Sequence, residues 1–198
     1  GYPGTLTFRP ETLIAVVEDI CNSLVYHGFK KLIIVNGHRG ANLPPLEIAS
    51  VRIRNKTGAY VAVVDVALIA LKEVREICEG EVGTIGHGCE SETSFMLYKH
   101  EELVDMNKAV KALETYDEKF LTSHVTMDPR LDYDRVYFRS TPEEQRKARG
   151  IVGSRGDPTL ASKDKGQRIY EAIVNNTVEF IDRMVRPTVV EIKETALP

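Results

Sequence analysis

Lys31-Leu-Ile-Ile-Val-Asn36 and, further along, Ala59-Tyr-Val-Ala-Val-Val-Asp65 are the two stretches on which the fold turns. Each is a short, nearly unbroken apolar run with turn residues around it, rich in Val and Ile. A strand with one wet face would alternate apolar and polar residues. An unbroken run instead marks a strand covered on both faces, as in a parallel sheet. Between the two runs lie a loop from Gly37 to Asn42 and a helix from Pro44 to Thr57, with Leu46, Ala49 and Ile53 inward and Gly58 as its cap. Asp65 closes the second run, and an aspartate there is expected to cap the following helix, Ala67 to Cys78. This βαβα order places the chain in the α/β class, with a mostly parallel sheet and helices on its faces. Ligands of such sheets collect beyond the carboxyl ends of the strands, here the loops after Asn36 and Asp65.

Working outward, a helix is predicted from Pro10, where proline suits a first turn, with Leu13, Val16, Val17, Ile20 and Leu24 as its buried stripe and Gly28 at its end. Gly83-Thr-Ile-Gly-His-Gly88 leads into a helix from Cys89 to His100. Lys111 to Lys147 is charged and aromatic with weak periodicity, and reads as an ordered excursion or an oligomer contact. A long amphipathic helix spans Ala161 to Met184, with Ile169, Ala172, Ile173, Phe180 and Ile181 on its apolar side and Pro187 as its stop.

Bulk composition narrows the function classes. A length of 198 residues suffices for one α/β domain with a real core. A net charge of −3 without a basic stripe argues against nucleic acid and against a membrane surface. No stretch reaches the ~18 apolar residues of a membrane span. Three cysteines, Cys21, Cys78 and Cys89, are an odd set without metal or disulfide spacing, which points to free thiols in a reducing, cytoplasmic setting.

Two histidines sit in glycine-rich turns at the ends of elements: His38 in Asn36-Gly-His-Arg-Gly40 and His87 in Gly86-His-Gly88. Small neighbours leave an imidazole accessible to a ligand or a reacting group. A lone loop histidine is usually just solvated, but His38 directly follows a buried parallel strand, where ligands collect. Glu90 and Glu92 open the next helix, an end that favours carboxylates through the helix dipole. At ~100° per residue they point to nearly opposite sides, so only one of them is expected in a ligand shell. Cys89 reads as core rather than nucleophile, because side chains adjacent in sequence seldom aim at one another. His27, His100 and His124 read as solvated.

Four stretches together resemble the creatininase (creatinine amidohydrolase) family. They are Pro3-Gly-Thr-Leu-Thr-Phe-Arg-Pro-Glu-Thr-Leu13, His27-Gly-Phe-Lys-Lys-Leu-Ile-Ile-Val-Asn-Gly-His38, Gly86-His-Gly-Cys-Glu-Ser-Glu-Thr-Ser94 and Gly156-Asp-Pro-Thr-Leu-Ala-Ser162. Their order and spacing agree over essentially the whole chain. The resemblance implies a three-layer αβα hydrolase with a pair of divalent metal ions, zinc, manganese or iron, bridged by a carboxylate and a water. His38 looks like the family's metal-binding histidine and His87 like its proton donor to the leaving group. Gly40 stands where the creatinine-cleaving branch has a glutamate ligand, so Glu90 is expected to supply that carboxylate, with Glu92 behind it on the catalytic side. Arg39, an addition to the usual loop, is a candidate substrate contact. The family opens with a Glu-x-His segment and a later Asp that give most of the ligands, and this sequence begins after that segment. Residues 1–198 are therefore expected to form one creatininase-like domain that is incomplete at its N-terminus and inactive alone. No tryptophan is present, whereas the creatinine-specific branch closes tryptophans over its flat substrate. The resulting expectation is a cytoplasmic homo-oligomer, in the family's manner a hexamer. It would cleave a cyclic amide or a similarly polar ring with a metal-activated water, and the alternative is a truncated, non-catalytic scaffold of the same fold.

Overall fold

The structure, a computed structural model, describes residues 6–81, 86–112 and 156–185. Among them run α1 (Pro10–Tyr26), β1 (Lys31–Asn36), α2 (Arg39–Thr57), β2 (Tyr60–Asp65), α3 (Leu71–Ile77), α4 (Glu90–Lys99) and α5 (Lys163–Val185). Short 3₁₀ turns at Glu101–Leu103, Met106–Lys108 and Pro158–Leu160 complete the described elements. The region expected as an excursion and the loop leading to Gly156 lie mostly outside the described residues, as does Pro187.

β1 and β2 pair in parallel, in a register that runs from Lys31 opposite Tyr60 to Asn36 opposite Asp65. Both apolar runs are therefore the strands the sequence predicts, and α2 is their crossover. One core joins Ile14 and Cys21 of α1, Leu32 of β1, Ala49 and Ile53 of α2, and Ala59 and Val61 at β2. Gly58 closes α2 in the left-handed region at φ +70°, donating its N–H to the Arg54 carbonyl, a conformation other residues rarely adopt.

Three expectations change. The buried stripe of α1 runs along Ile14, Val17, Cys21 and Val25, while Val16 and Ile20 stay 41% and 56% exposed. Both sets obey helical spacing, so periodicity alone could not tell which of two adjacent apolar faces meets the sheet. α2 starts at Arg39, upstream of its internal Pro44 and Pro45, although proline disfavours a helical residue before it. The loop after β1 is thus the first turn of a helix, with His38 as the extended N-cap residue. Lastly, Asp65 does not cap α3: its Oδ1 accepts the Ala67 N–H at 3.0 Å, holding a turn, and α3 begins only at Leu71.

A second group of elements forms around α5. Ile169 and Ile173 of α5 pack on Val74 and Ile77 of α3. Asn176 ties the same pair together, donating to the Ile69 carbonyl at 2.8 Å and to Glu73 at 3.0 Å. α4 lies so close to α5 that a Cβ on Gly166 would fall 1.9 Å from the Ser94 carbonyl oxygen. Only glycine permits that approach, which explains a helix-weakening residue inside α5. Among the described residues no helix is long and apolar enough to cross a membrane.

Candidate active site

The ends of β1 and β2 are held by side chains as well as by the ladder. Asn36, 2% exposed, donates through Nδ2 to Asp65 Oδ2 at 3.0 Å. Its Oδ1 accepts the His38 N–H at 3.2 Å. A buried amide and a buried carboxylate are satisfied by each other and by backbone N–H groups, as burial requires. This arrangement carries the chain from strand into α2 and leaves His38 exposed at the carboxyl edge of the sheet.

His87 comes to the same place from the turn before α4. The His38 and His87 rings are stacked, with centroids 6.0 Å apart and planes 16° from parallel. Glu92, in the first turn of α4, accepts the Gly88 N–H through Oε2 at 2.6 Å. The bond reaches back past the N-cap residue Cys89 and satisfies a backbone donor ahead of the helix. The protein around the Glu92 carboxyl raises its pKa, although the side chain keeps solvent contact, while the Gly88 N–H and the His38 charge pull it down. That influence of His38 puts the carboxylate in the electrostatic company of the His38 imidazole.

Glu90 takes the other side of α4. It is 2% exposed, and its oxygens accept from the Glu79 N–H at 3.1 Å, the Gly80 N–H at 2.9 Å and Lys165 Nζ at 2.5 Å. Lys165 also donates to the Leu160 carbonyl at 2.9 Å. The two carboxylates diverge as the helical angle demands. Glu90, expected at the metal, is bound up in a buried ion pair with α5, and Glu92, expected behind it, turns to the opposite side of α4, where the His38 charge reaches it. The two-residue step from Glu90 to Glu92 turns the helix by about 200°, so once Lys165 claims one carboxylate the other points away from α5. The Arg39 side chain, the candidate substrate contact, lies outside the described residues.

Lys165 escaped the sequence reading. Its only local signal is that Lys163 and Lys165 stand in the first turn of a helix, where cations are disfavoured by the dipole. Cys89 is 1% exposed with Sγ 3.1 Å from the Ser91 hydroxyl, a core position as read from sequence. His27 and His100 are exposed, and His100 lies 3.4 Å from the equally exposed Glu102.

A recess of about 350 Å³ opens beside Glu92. Its walls include Met96, Leu103, Val104 and Met106, with Asp105 and Lys108 among its polar members.

An imidazole and a carboxylate form a donor set suited to first-row divalent cations. His38 and Glu92 fit such an ion by chemistry. Among the described residues, however, no three His, Cys, Asp or Glu side chains are grouped to hold one. These two residues would thus be part of a coordination sphere.

Comparison with known proteins bears on the same residues. Residues 1–181 match the creatininase family, described as creatinine amidohydrolase. The chain is 27% identical to a creatinine amidohydrolase of Pseudomonas putida, over 94% of its own length and 68% of that protein's. Among solved structures, a variant creatininase complexed with creatine is 26% identical with a TM-score of 0.67, over 94% of this chain and 69% of that one. A manganese creatininase is 25% identical with a TM-score of 0.68, over 94% and 68%. A variant of the Zn-Zn type, 24% identical with a TM-score of 0.66 over 94% and 68%, shares the fold. The expected αβα fold class stands, and the chain belongs to the creatininase family of amidohydrolases.

Proposed function

We propose that this protein hydrolyses the C–N bond of a small cyclic amide, or of a similarly polar ring, at a divalent metal centre to which His38 and Glu92 contribute. The observation that carries this reading is the stacking of His87 on His38 just past the carboxyl end of β1, with Glu92 near enough to feel the His38 charge. In the complete centre two ions, zinc, manganese or iron, are expected, with the remaining ligands coming from outside the described residues. A divalent ion held by His38 and Glu92 would supply Lewis-acid chemistry there, favouring ionisation of water and polarisation of the scissile carbonyl.

The chain's own groups then have separable tasks. His38 binds through one ring nitrogen and must be neutral to do so. Glu92 brings negative charge to the same locus, held in place by the Gly88 N–H. His87, on the glycine-rich turn and stacked against His38, is placed to give a proton to the departing ring nitrogen. Recess walls of Met96, Leu103 and Met106 suit a flat, uncharged ring without tryptophans, and the volume fits a small molecule. Val16 and Ile20, exposed side by side on the outer face of α1, offer a surface for a homo-oligomer, which by family resemblance would be a cytoplasmic hexamer.

A second reading, a scaffold that holds no catalytic metal, has one observation in its favour: a catalytic zinc site takes about three protein ligands, and no such trio occurs among the described residues. Metal content decides between the two. The purified protein, as its gene encodes it, is loaded with zinc or manganese and assayed on cyclic amides. Stoichiometric metal and turnover are expected, with metal lost about 10-fold or more in affinity in Glu92→Gln and retained in a folded Glu90→Gln. Metal loss in Glu90→Gln with full occupancy in Glu92→Gln would restore the reverse assignment. Absence of bound metal in the wild type would leave the scaffold.

A further inference from the structure

We propose that Asn36 and Asp65 form a positioning pair that sets the place of His38, acting through hydrogen bonds of one fixed polarity. This inference rests on the reading of His38 as a metal ligand, since its purpose is to aim that imidazole.

Three donors meet the pair: the His38 N–H, the Asn36 Nδ2 and the Ala67 N–H. Three acceptor oxygens receive them: Asn36 Oδ1 and both oxygens of Asp65. The count closes only with one amide and one carboxylate. Two carboxylates would lack a donor between them, and two amides would leave one N–H facing another. The pair is also buried, with Asn36 2% and Asp65 8% exposed, so water does not fill a broken bond cheaply. Asn36 and Asp65 occupy opposed positions in the parallel register, at the last residue of each strand. A strand end is where the chain is free to diverge, and here the Asn36 side chain grips the backbone two residues on. His38 has extended angles, φ −145° and ψ 107°, and no side-chain cap of its own, so the bond from its N–H to Asn36 is what ties the ring's backbone to the sheet. The ring then meets His87 at 6.0 Å. Asn36 and Asp65 touch no substrate in this account; they hold the residue that does the binding.

Exchanging the two residues tests the fixed polarity of these bonds. In the double variant Asn36→Asp with Asp65→Asn, a carboxylate at 36 accepts from the His38 N–H and from the amide at 65, whose oxygen accepts the Ala67 N–H. All three bonds return with net charge unchanged, whereas each single variant loses one. Affinity for Zn²⁺ and Mn²⁺ is measured by chelator competition well below the melting temperature, and the ring ¹H–¹³C resonances of His38 and His87 are recorded without metal. Each single variant is expected to weaken metal binding about 10- to 100-fold, the usual range for a group that orients a ligand, and to shift the His38 ring resonances. The double variant is expected to recover both. Wild-type affinity and wild-type ring shifts in the single variants, even with a lowered Tm, would reduce the pair to a structural contact and overturn the proposal. A double variant as impaired as the worse single would overturn it too. If Asn36→Asp fails to fold, Asp65→Asn gives the same decision. If the wild-type protein binds neither metal, the amidohydrolase reading fails, while the ring shifts still decide whether the pair positions His38.

Discussion

The sheet with α1 and α2 and the group of α3, α4 and α5 hold together by different means. In the first, apolar side chains converge: Ile14, Cys21, Leu32, Ala49, Ile53 and Val61 share one core. In the second, buried polar contacts and a close helix crossing carry more of the specificity. Ser94, fully buried, accepts the Ser162 N–H at 3.0 Å, Gly166 lets α5 settle on α4, and Lys165 joins Glu90 at 2.5 Å. Apolar packing is graded and tolerant, because losing a methylene costs in proportion to what is lost. A buried ion pair is not graded, because removing one partner strands the other in a poor solvent. Each half supplies one side of the candidate site: His38 from the apolar half, and His87 and Glu92 from the polar one.

The strongest way to break this contrast is Lys165→Met. It leaves Glu90 buried and charged, and a loss of about 3–5 kcal/mol is expected in denaturant melts. Adding Glu90→Leu should return most of that, since apolar groups of like volume often replace a buried pair without net cost. If the double variant stays as unstable as the single, the backbone N–H groups of Glu79 and Gly80 need the carboxylate for themselves. The Lys165 ammonium is pulled down by burial but raised further by its bonds to Glu90 and Glu79, so its pKa lies above the ordinary lysine value. Its contribution is therefore complete below about pH 10 and fades as pH rises through the raised value. On the apolar side, Ile53→Val removes one methylene from the fully buried residue at the centre of the core. A smaller loss of about 1 kcal/mol is expected in the same melts. A loss equal to that of Lys165→Met would erase the distinction between the halves.

The same physics decides what could be read in advance. Strands β1 and β2 were legible as short, unbroken apolar runs, although Val35 stays 62% exposed and the expected cover on both faces is not complete among the described residues. Leu46, Ala49 and Ile53 were legible by their helical spacing, even though Ile48 and Val51 of α2 are exposed. The inner face of α1 was not, since Val16 and Ile20 continue its apolar surface around the helix. His38 and His87 stood out by their glycine neighbours and strand-end position, and the opposed directions of Glu90 and Glu92 followed from helical geometry. Which carboxylate faces which way did not follow. It is settled by Lys165, far along the chain and without a short-range signature. Family resemblance added the kind of chemistry, but its carboxylate assignment rested on the position of Gly40, and the ion pair with α5 lies outside what that comparison could see.

The smallest effect is a pH dependence of stability set by Glu92. Glu90 sits among donors, whereas burial raises the Glu92 carboxyl above its ordinary value against the pull of Gly88 and His38. In the unfolded chain Glu92 titrates near the usual glutamate value of about 4.3. From there upward to the raised folded value, the native state holds the proton longer than the unfolded state does. Stability must then fall as pH rises through that window, because the state binding more protons is favoured at low pH. Glu92→Gln cannot titrate and lacks this slope. Urea melts of metal-free wild type and Glu92→Gln across the window should show the wild type losing ground to the variant as pH increases. The effect is modest, because the side chain keeps solvent contact. A bound divalent cation reverses the preference, since it favours the ionised carboxylate, so adding zinc should abolish the wild type's relative loss. If instead the metal-free wild type gains on Glu92→Gln with rising pH, the protein already stabilises the charged carboxylate by fixed contacts. Glu92 would then resemble Glu90, a structural anchor, and the case for it as a metal ligand would lose its electrostatic support.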